Sequence, residues 1–213
     1  MLTNSANRVR TRRFSGPKRR AQIIEAATGL FSKHGYDNLT MKMLADACSV
    51  TEPALYRYFA SKENIFEAVI QTLESRLDPG MLRERLTQAK EPEEVLHTVA
   101  TYLVTTFSEH TELQRLLLYS TLGSHPQAQA AFDSVRKPYV EMLREKLESL
   151  ATEGKIREVN PIITARCFIG MVMDCALGMH LWCDYQGDSF APHQVISNNV
   201  PIYAAGLLPE DQK

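Results

Sequence analysis

Apolar positions recur at helical spacing along most of the chain, and no stretch alternates as a half-buried strand would. Pro17 to His34 carries Ile23, Ile24, Ala27, Leu30 and Phe31 on one stripe, and Gly35 stops it. Two shorter segments follow. Met43, Leu44 and Ala47 open after Thr40, and Glu52 to Phe59 opens after Thr51, with Cys48-Ser49-Val50 as the break between them. Thr40 and Thr51 each stand where a side-chain oxygen can accept from the free N–H groups of a first turn. Helices this short do not hold together alone in water, so both need neighbours. Ser61 caps a fourth helix with Ile65, Phe66, Val69, Ile70, Leu73 and Leu77, which Asp78-Pro79-Gly80 ends.

Helical spacing resumes at residue 91. Glu93 and Glu94 fill a first turn after Pro92, and Val95, Leu96, Val99, Leu103 and Phe107 form the stripe. Leu113, Leu116 and Leu117 follow, ended by Gly123. A long segment from Gln127 to about Glu153 is interrupted by Pro138, which predicts a bend or split. Asn160-Pro161 predicts a cap and a first-turn proline for a helix running to about Tyr185. A last segment, roughly Pro192 to Leu208, contains Pro201 and is open to division into two pieces. The pattern predicts an all-α chain without internal repeats.

Short helix, tight turn, short helix is how a protein holds one rigid helix end against a DNA groove. Within that stretch, Leu44-Ala45, Leu55-Tyr56-x-Tyr58-Phe59 and Ser61-Lys62-Glu63 resemble the DNA-binding domain of the TetR family of bacterial repressors. The resemblance covers roughly residues 17–77. It departs from the family at Ser49, where a turn glycine is usual, and at Cys48, where alanine is usual. Pro53 lies within the recognition helix but in its first turn, where a missing N–H costs nothing. The polar, basic and aperiodic stretch 1–16 reads as a disordered arm, and the resemblance implies a helix-turn-helix DNA-binding domain over 17–77 and a helical ligand-binding and dimerisation domain over 78–213.

Charge sharpens this division. Net charge is −1, but residues 1–62 hold 11 Lys and Arg against 4 acids, or +7, and the remainder holds 13 against 21, or −8. A basic head on an acidic body is the asymmetry of a protein that sets one end on DNA. Arg8, Arg10, Arg12 and Arg13 make the tail either a solubilising extension or an arm for a minor groove. Hydrophobic content of 44% and charged content of 23% are those of a globular chain. The four cysteines form no C-x-x-C pair and read as buried free thiols in a reducing compartment. The N-terminus lacks the apolar core of a signal peptide, and the stretch Cys167 to Cys183 is shorter than a membrane span. The expected location is the cytoplasm.

In the reading the resemblance implies, the recognition helix enters the major groove by its N-terminus. Thr51, Glu52, Pro53, Ala54 and Arg57 face base edges, and only Arg57 has a donor fork able to take a guanine. Thr40, Lys42, Tyr56, Tyr58 and Lys62 hold phosphates, which position without specifying. Packing within the small domain is the plain alternative for Tyr56 and Tyr58.

The helix from Pro161 is apolar most of the way round, so it must be buried on more than one side. The resemblance makes it one of the two helices that form a four-helix bundle with a second copy, where Gly170 and Gly178 permit close approach. Its other face would line a cavity for a small apolar or amphipathic ligand, with Tyr102, Phe107, Leu117, Phe132, Tyr139, Phe168, Met171 and Cys175 as candidates. Each is as readily a core residue. Asp174, a carboxylate on so apolar a helix, calls for a partner: a nearby cation or a cationic ligand. The partners expected are a DNA operator, a second copy and that ligand, with no cofactor.

No nucleophile elbow, zinc-protease motif, phosphate loop or dinucleotide fingerprint occurs. His180, Cys183 and Asp184 fall at i, i+3 and i+4 but lack a fourth ligand. The expectation is therefore a homodimeric repressor released from a palindromic operator by its ligand, and not an enzyme. The two rivals are a helix-turn-helix protein without a ligand and a metal-dependent helical enzyme.

Overall fold

The computed structural model describes residues 16–122, 126–181 and 191–210, and these form helices with no strand. In chain order they are α1 (Gly16–Asn38), α2 (Met41–Ala47), α3 (Glu52–Leu55), α4 (Lys62–Glu74), α5 (Pro79–Gln88), α6 (Pro92–Glu109), α7 (Thr111–Leu122), α8 (Pro126–Thr152), α9 (Pro161–Leu181) and α10 (Pro192–Leu207). The predicted arm over 1–16 lies outside the described residues except for Gly16. So do Cys183 and Asp184.

The caps read from the sequence form at three of four sites. Thr40 accepts from the Met43 N–H at 3.2 Å, Ser61 from Asn64 at 3.3 Å, and Asn160 from Ile163 at 3.1 Å. Thr51 occupies its cap position without a side-chain cap bond. Its hydroxyl stays free at the exposed start of α3. Gly35 breaks α1 with φ 73° and ψ 173°, a conformation open in practice only to glycine.

The turn after α2 closes without glycine. Ser49 takes a left-handed φ of 53°. Its N–H bonds the Asp46 carbonyl at 3.0 Å, and the Val50 N–H bonds that of Ala45 at 2.9 Å. This pair of bonds satisfies the last carbonyls of the helix.

Four expectations change. Helix α3 is regular only to Leu55, and a tighter turn carries the chain to Phe59 through bonds from Tyr58 and Phe59 to the Leu55 carbonyl. Helix α5 is additional: Asp78-Pro79-Gly80 does not merely end a helix but starts one, with Asp78 accepting from the Met81 N–H at 3.1 Å. Helices α8 and α10 run unbroken through Pro138 and Pro201, both on exposed positions. Cys167 is exposed, not buried.

The first four helices pack around Phe31, Tyr36 and Phe66, whose rings meet at 5.0–5.9 Å between centroids, two of the three pairs edge to face. Each such pair adds about 0.5–1.5 kcal/mol beyond the area it buries. Helices α6, α8, α9 and α10 pack together as a second layer around Leu103, Tyr139, Leu143 and Phe168. Helix α7 joins the two, packing against α1 on one side and α8 on the other.

Candidate functional site

The start of α3 is open to solvent along the residues a DNA groove would meet. Thr51, Pro53, Tyr56 and Arg57 are exposed, and Glu52 and Ala54 are half-buried. No partner among the described residues holds Arg57, so its guanidinium fork is available. Thr40 and Lys42 are exposed on the neighbouring helix start. The two tyrosines divide: Tyr56 is 51% exposed, while Tyr58 packs against the core.

Lys62, expected at a phosphate, makes contacts of its own within the chain. Its ammonium donates to the Tyr36 carbonyl at 2.9 Å and the Leu39 carbonyl at 3.1 Å, and it sits 4.3 Å from the centre of the Tyr36 ring. Two of its three donors are taken within the chain. Lys62 is a staple between α4 and the end of α1 before it is anything else. The Tyr36 hydroxyl beside it donates to Glu63 at 2.7 Å. Burial first, and then that carboxylate, push its pKa far up.

Two arginines that motif reading passed over brace the same unit. Arg19 donates to the Cys48 carbonyl at 2.9 Å, tying α1 to the turn, and Arg20 lies 4.7 Å over the Phe59 ring. Burial raises the Cys48 thiol, partly opposed by Arg19.

A cavity of about 230 Å³ opens between α6, α7, α8 and α9. Of the ligand candidates, Phe107, Leu117, Phe132 and Asp174 line it. Gln114, Leu118, Arg136, Gly170, Met173 and Leu177 complete its wall. The others do not line it. Tyr102 is buried and donates to the Asp78 carbonyl at 2.6 Å. Tyr139 is fully buried between Tyr102 and Phe107, and Phe168 packs edge-on against Tyr203 at 5.2 Å. Met171 and Cys175 are half-buried elsewhere on α9, where burial and then Asp174 raise the Cys175 thiol. Asp174 itself is exposed, so water serves it and no buried partner is required. Gly170 lies beside Arg136: a Cβ there would be 3.5 Å from Nη2.

Two polar groups in this wall lack partners. Gln114 is 5% exposed; its amide donates to the Phe107 carbonyl at 2.7 Å, but its Oε1 is buried and unbonded. The Nε of Arg136 is buried and unbonded as well, while its guanidinium lies 4.9 Å over Phe132. Burial, and then the nearby Arg166, lower the Arg136 pKa against the pull of Asp133. Among the described residues no group of three His, Cys, Asp or Glu side chains could hold a metal. The His180 side chain lies outside them, as do Cys183 and Asp184.

Two family models match this chain. Bacterial regulatory proteins of the tetR family match residues 23–69, and the tetracyclin repressor-like C-terminal domain matches residues 89–195. The transcriptional regulator UidR of Escherichia coli K12 is 24% identical, over 89% of this chain and 92% of its own length. The nucleoid occlusion factor SlmA of Haemophilus ducreyi is 29% identical, over 83% and 86%. Among solved structures, the regulator FadR of Bacillus subtilis in complex with stearoyl-CoA superposes with a TM-score of 0.68 at 17% identity, over 88% of this chain and 98% of its own. AibR in complex with isovaleryl coenzyme A and operator DNA gives 0.64 at 24%, over 86% and 97%. With both halves matched in order, one by the DNA-binding domain and the other by the C-terminal domain, the chain belongs to the TetR family of bacterial transcriptional regulators.

Proposed function

We propose that this regulator is a homodimeric repressor that leaves a palindromic operator when a small apolar or amphipathic ligand fills the cavity. Residues 17–77 form the DNA-binding unit, and residues 78–213 the ligand-binding and dimerisation unit. Thr51, Glu52, Pro53, Ala54 and Arg57 meet the base edges, and Thr40, Lys42 and Tyr56 the backbone.

One observation carries this reading. Helix α7 puts Gln114, Leu117 and Leu118 on the cavity, and the next residue, Tyr119, lies against Gly35 of α1. A ligand seated on one face of α7 bears on the DNA-binding half through the other. Its leverage is its differential affinity for the two states, about 1–3 kcal/mol in coupled systems. The acyl-CoA molecules bound by the FadR and AibR structures are amphipathic ligands of the kind proposed here.

The apolar surface of α9 supports a second copy. Residues Pro161–Gly178 have a mean hydropathy of 1.4, high enough for a membrane span by length and composition, yet only 28% of them are buried within the chain. Ile163 on α9 and Ile202 on α10 are 59% and 63% exposed. A partner subunit covering these helices would double the recognition helices and fix their spacing near ~34 Å or a multiple.

The test is a titration of the purified protein against the DNA flanking its own gene, at two salt concentrations, with and without fractions of cell-extract small molecules. Selective binding that steepens at low salt and that one fraction releases is expected. Selective binding that no fraction disturbs would leave a regulator without a ligand.

A further inference from the structure

Arg136 stands at a junction. On one side it closes the apolar cavity with Phe132, Leu117 and Met173. On the other it opens onto a second, polar recess of about 360 Å³ between α8 and α9, where Lys137 and Arg166 also lie. The two spaces run along one seam, from Ile162 and Arg166 through Gly170 to Leu177 on α9. From this geometry we infer that the site takes an amphiphile: an apolar chain in the cavity and an anionic head group seated on Arg136, Arg166 and Lys137. The inference rests on the ligand-binding reading above and adds the charge class and orientation of the ligand.

Three observations fix the sign of the head group. A buried guanidinium nitrogen without a partner is costly, more so because the group is charged. Arg136 Nε is in that state, and an oxyanion relieves it. Arg136 and Arg166 both line the recess, so two guanidiniums stand where one anion could be shared. Of the carboxylates facing them, Glu141 already accepts from Arg144 at 2.7 Å. Asp133 also lines the recess and favours the Arg136 charge, but it is exposed and makes no bond to the buried Nε; Asp174 is exposed on the cavity side.

Size fits the tail. A cavity of about 150 Å³ lined by apolar side chains holds a benzene, and this one is larger and shares Arg136 with the recess.

The experiment uses the full chain and calorimetric titration with decyl phosphate, decanoate and decanol below their aggregation concentrations. The phosphate and the carboxylate are expected to bind at least about tenfold tighter than the alcohol, since a charge-assisted bond is worth that much. Arg136→Gln should erase the difference by weakening both anions far more than decanol. Arg136→Lys, which keeps the charge and most of the volume, should retain part of it and guards against loss of fold. Arg166→Gln should weaken the phosphate more than the carboxylate. Equal affinity for all three probes, no binding of any, or a preference that survives in folded Arg136→Gln would overturn the inference. Head-group preference without any effect on DNA binding would uphold this site and overturn the ligand-switch reading instead.

Discussion

Tyr119 lies so close over Gly35 that a Cβ at residue 35 would sit 3.1 Å from its Cδ1 and 3.3 Å from its Cγ. The Tyr119 hydroxyl reaches on to the Lys33 carbonyl at 3.3 Å. One contact thus joins the wall of the cavity to the helix that carries the DNA-binding unit, at a residue whose φ of 73° excludes side chains. Gly35→Ala has two separable costs: backbone strain of about 1–3 kcal/mol and displacement of the Tyr119 ring. A double-mutant cycle with Tyr119→Ala, read by urea unfolding, separates them. The Gly35→Ala cost should shrink but not vanish in the Tyr119→Ala background. Full additivity would mean that the ring yields freely and the contact transmits nothing.

Lys62 and Arg57 should part company when each is changed to alanine. Lys62 secures two carbonyls and an aromatic face inside the small domain, so Lys62→Ala should lower stability by about 1–3 kcal/mol. Arg57 is exposed and unheld, so Arg57→Ala should leave stability within about 0.5 kcal/mol. On DNA the order reverses: Arg57→Ala should cost about 1–3 kcal/mol and relax preference at one base position. Thermal unfolding and binding to a panel of single-base operator variants read the two effects. Equal stability losses would overturn the division.

Acid should loosen the start of α6 before it unfolds the core. The Glu94 carboxylate accepts from the Lys90 N–H at 2.8 Å and the Glu91 N–H at 3.2 Å, and those bonds, in that order, hold its pKa below the usual range. A depressed carboxylate contributes stability above its unfolded pKa and loses it as pH falls toward the folded one. Glu94→Gln should therefore be less stable at neutral pH and fall less steeply on acidification. Parallel curves of melting temperature against pH for the two proteins would assign the cap to the amide as much as to the charge.

The sequence made the helix boundaries legible where a local rule governs them. Thr40, Ser61 and Asn160 cap as short-range chemistry requires, and Gly35 stops α1 because no other residue holds its conformation. Ser49 closed its turn in the left-handed region that the missing glycine implied. Asp78-Pro79-Gly80 carries two local signals at once, since an acid before a proline caps a new helix as readily as proline and glycine end an old one. The cavity was legible in part. Aromatic spacing placed Phe107 and Phe132 but could not tell lining from core, so Tyr102, Tyr139 and Phe168 were over-read. Arg136 carried no local signal: a charge on an amphipathic helix reads as solvated until the tertiary fold closes α9 over it. The Lys62 contacts escaped for the same reason, spanning 23 and 26 residues.

The apolar face of α9 and α10 gives the last prediction. Ile163 and Ile202 are exposed within one chain, so a charge at either costs a lone subunit little, within about 0.5 kcal/mol. In a dimer both positions would be sealed from water, where an unpaired carboxylate costs several kcal/mol. Ile163→Asp with Ile202→Asp should therefore shift the protein from dimer to monomer in sedimentation while the helical circular dichroism stays unchanged. Operator affinity should fall with it, because a monomer presents one recognition helix and forfeits the second half-site. The lost affinity should return at protein concentrations high enough to restore the dimer, which separates a lost subunit contact from a damaged DNA face. A double variant that still sediments as a dimer would show that the second copy binds some other surface, and the exposed apolar face of α9 would need a different occupant.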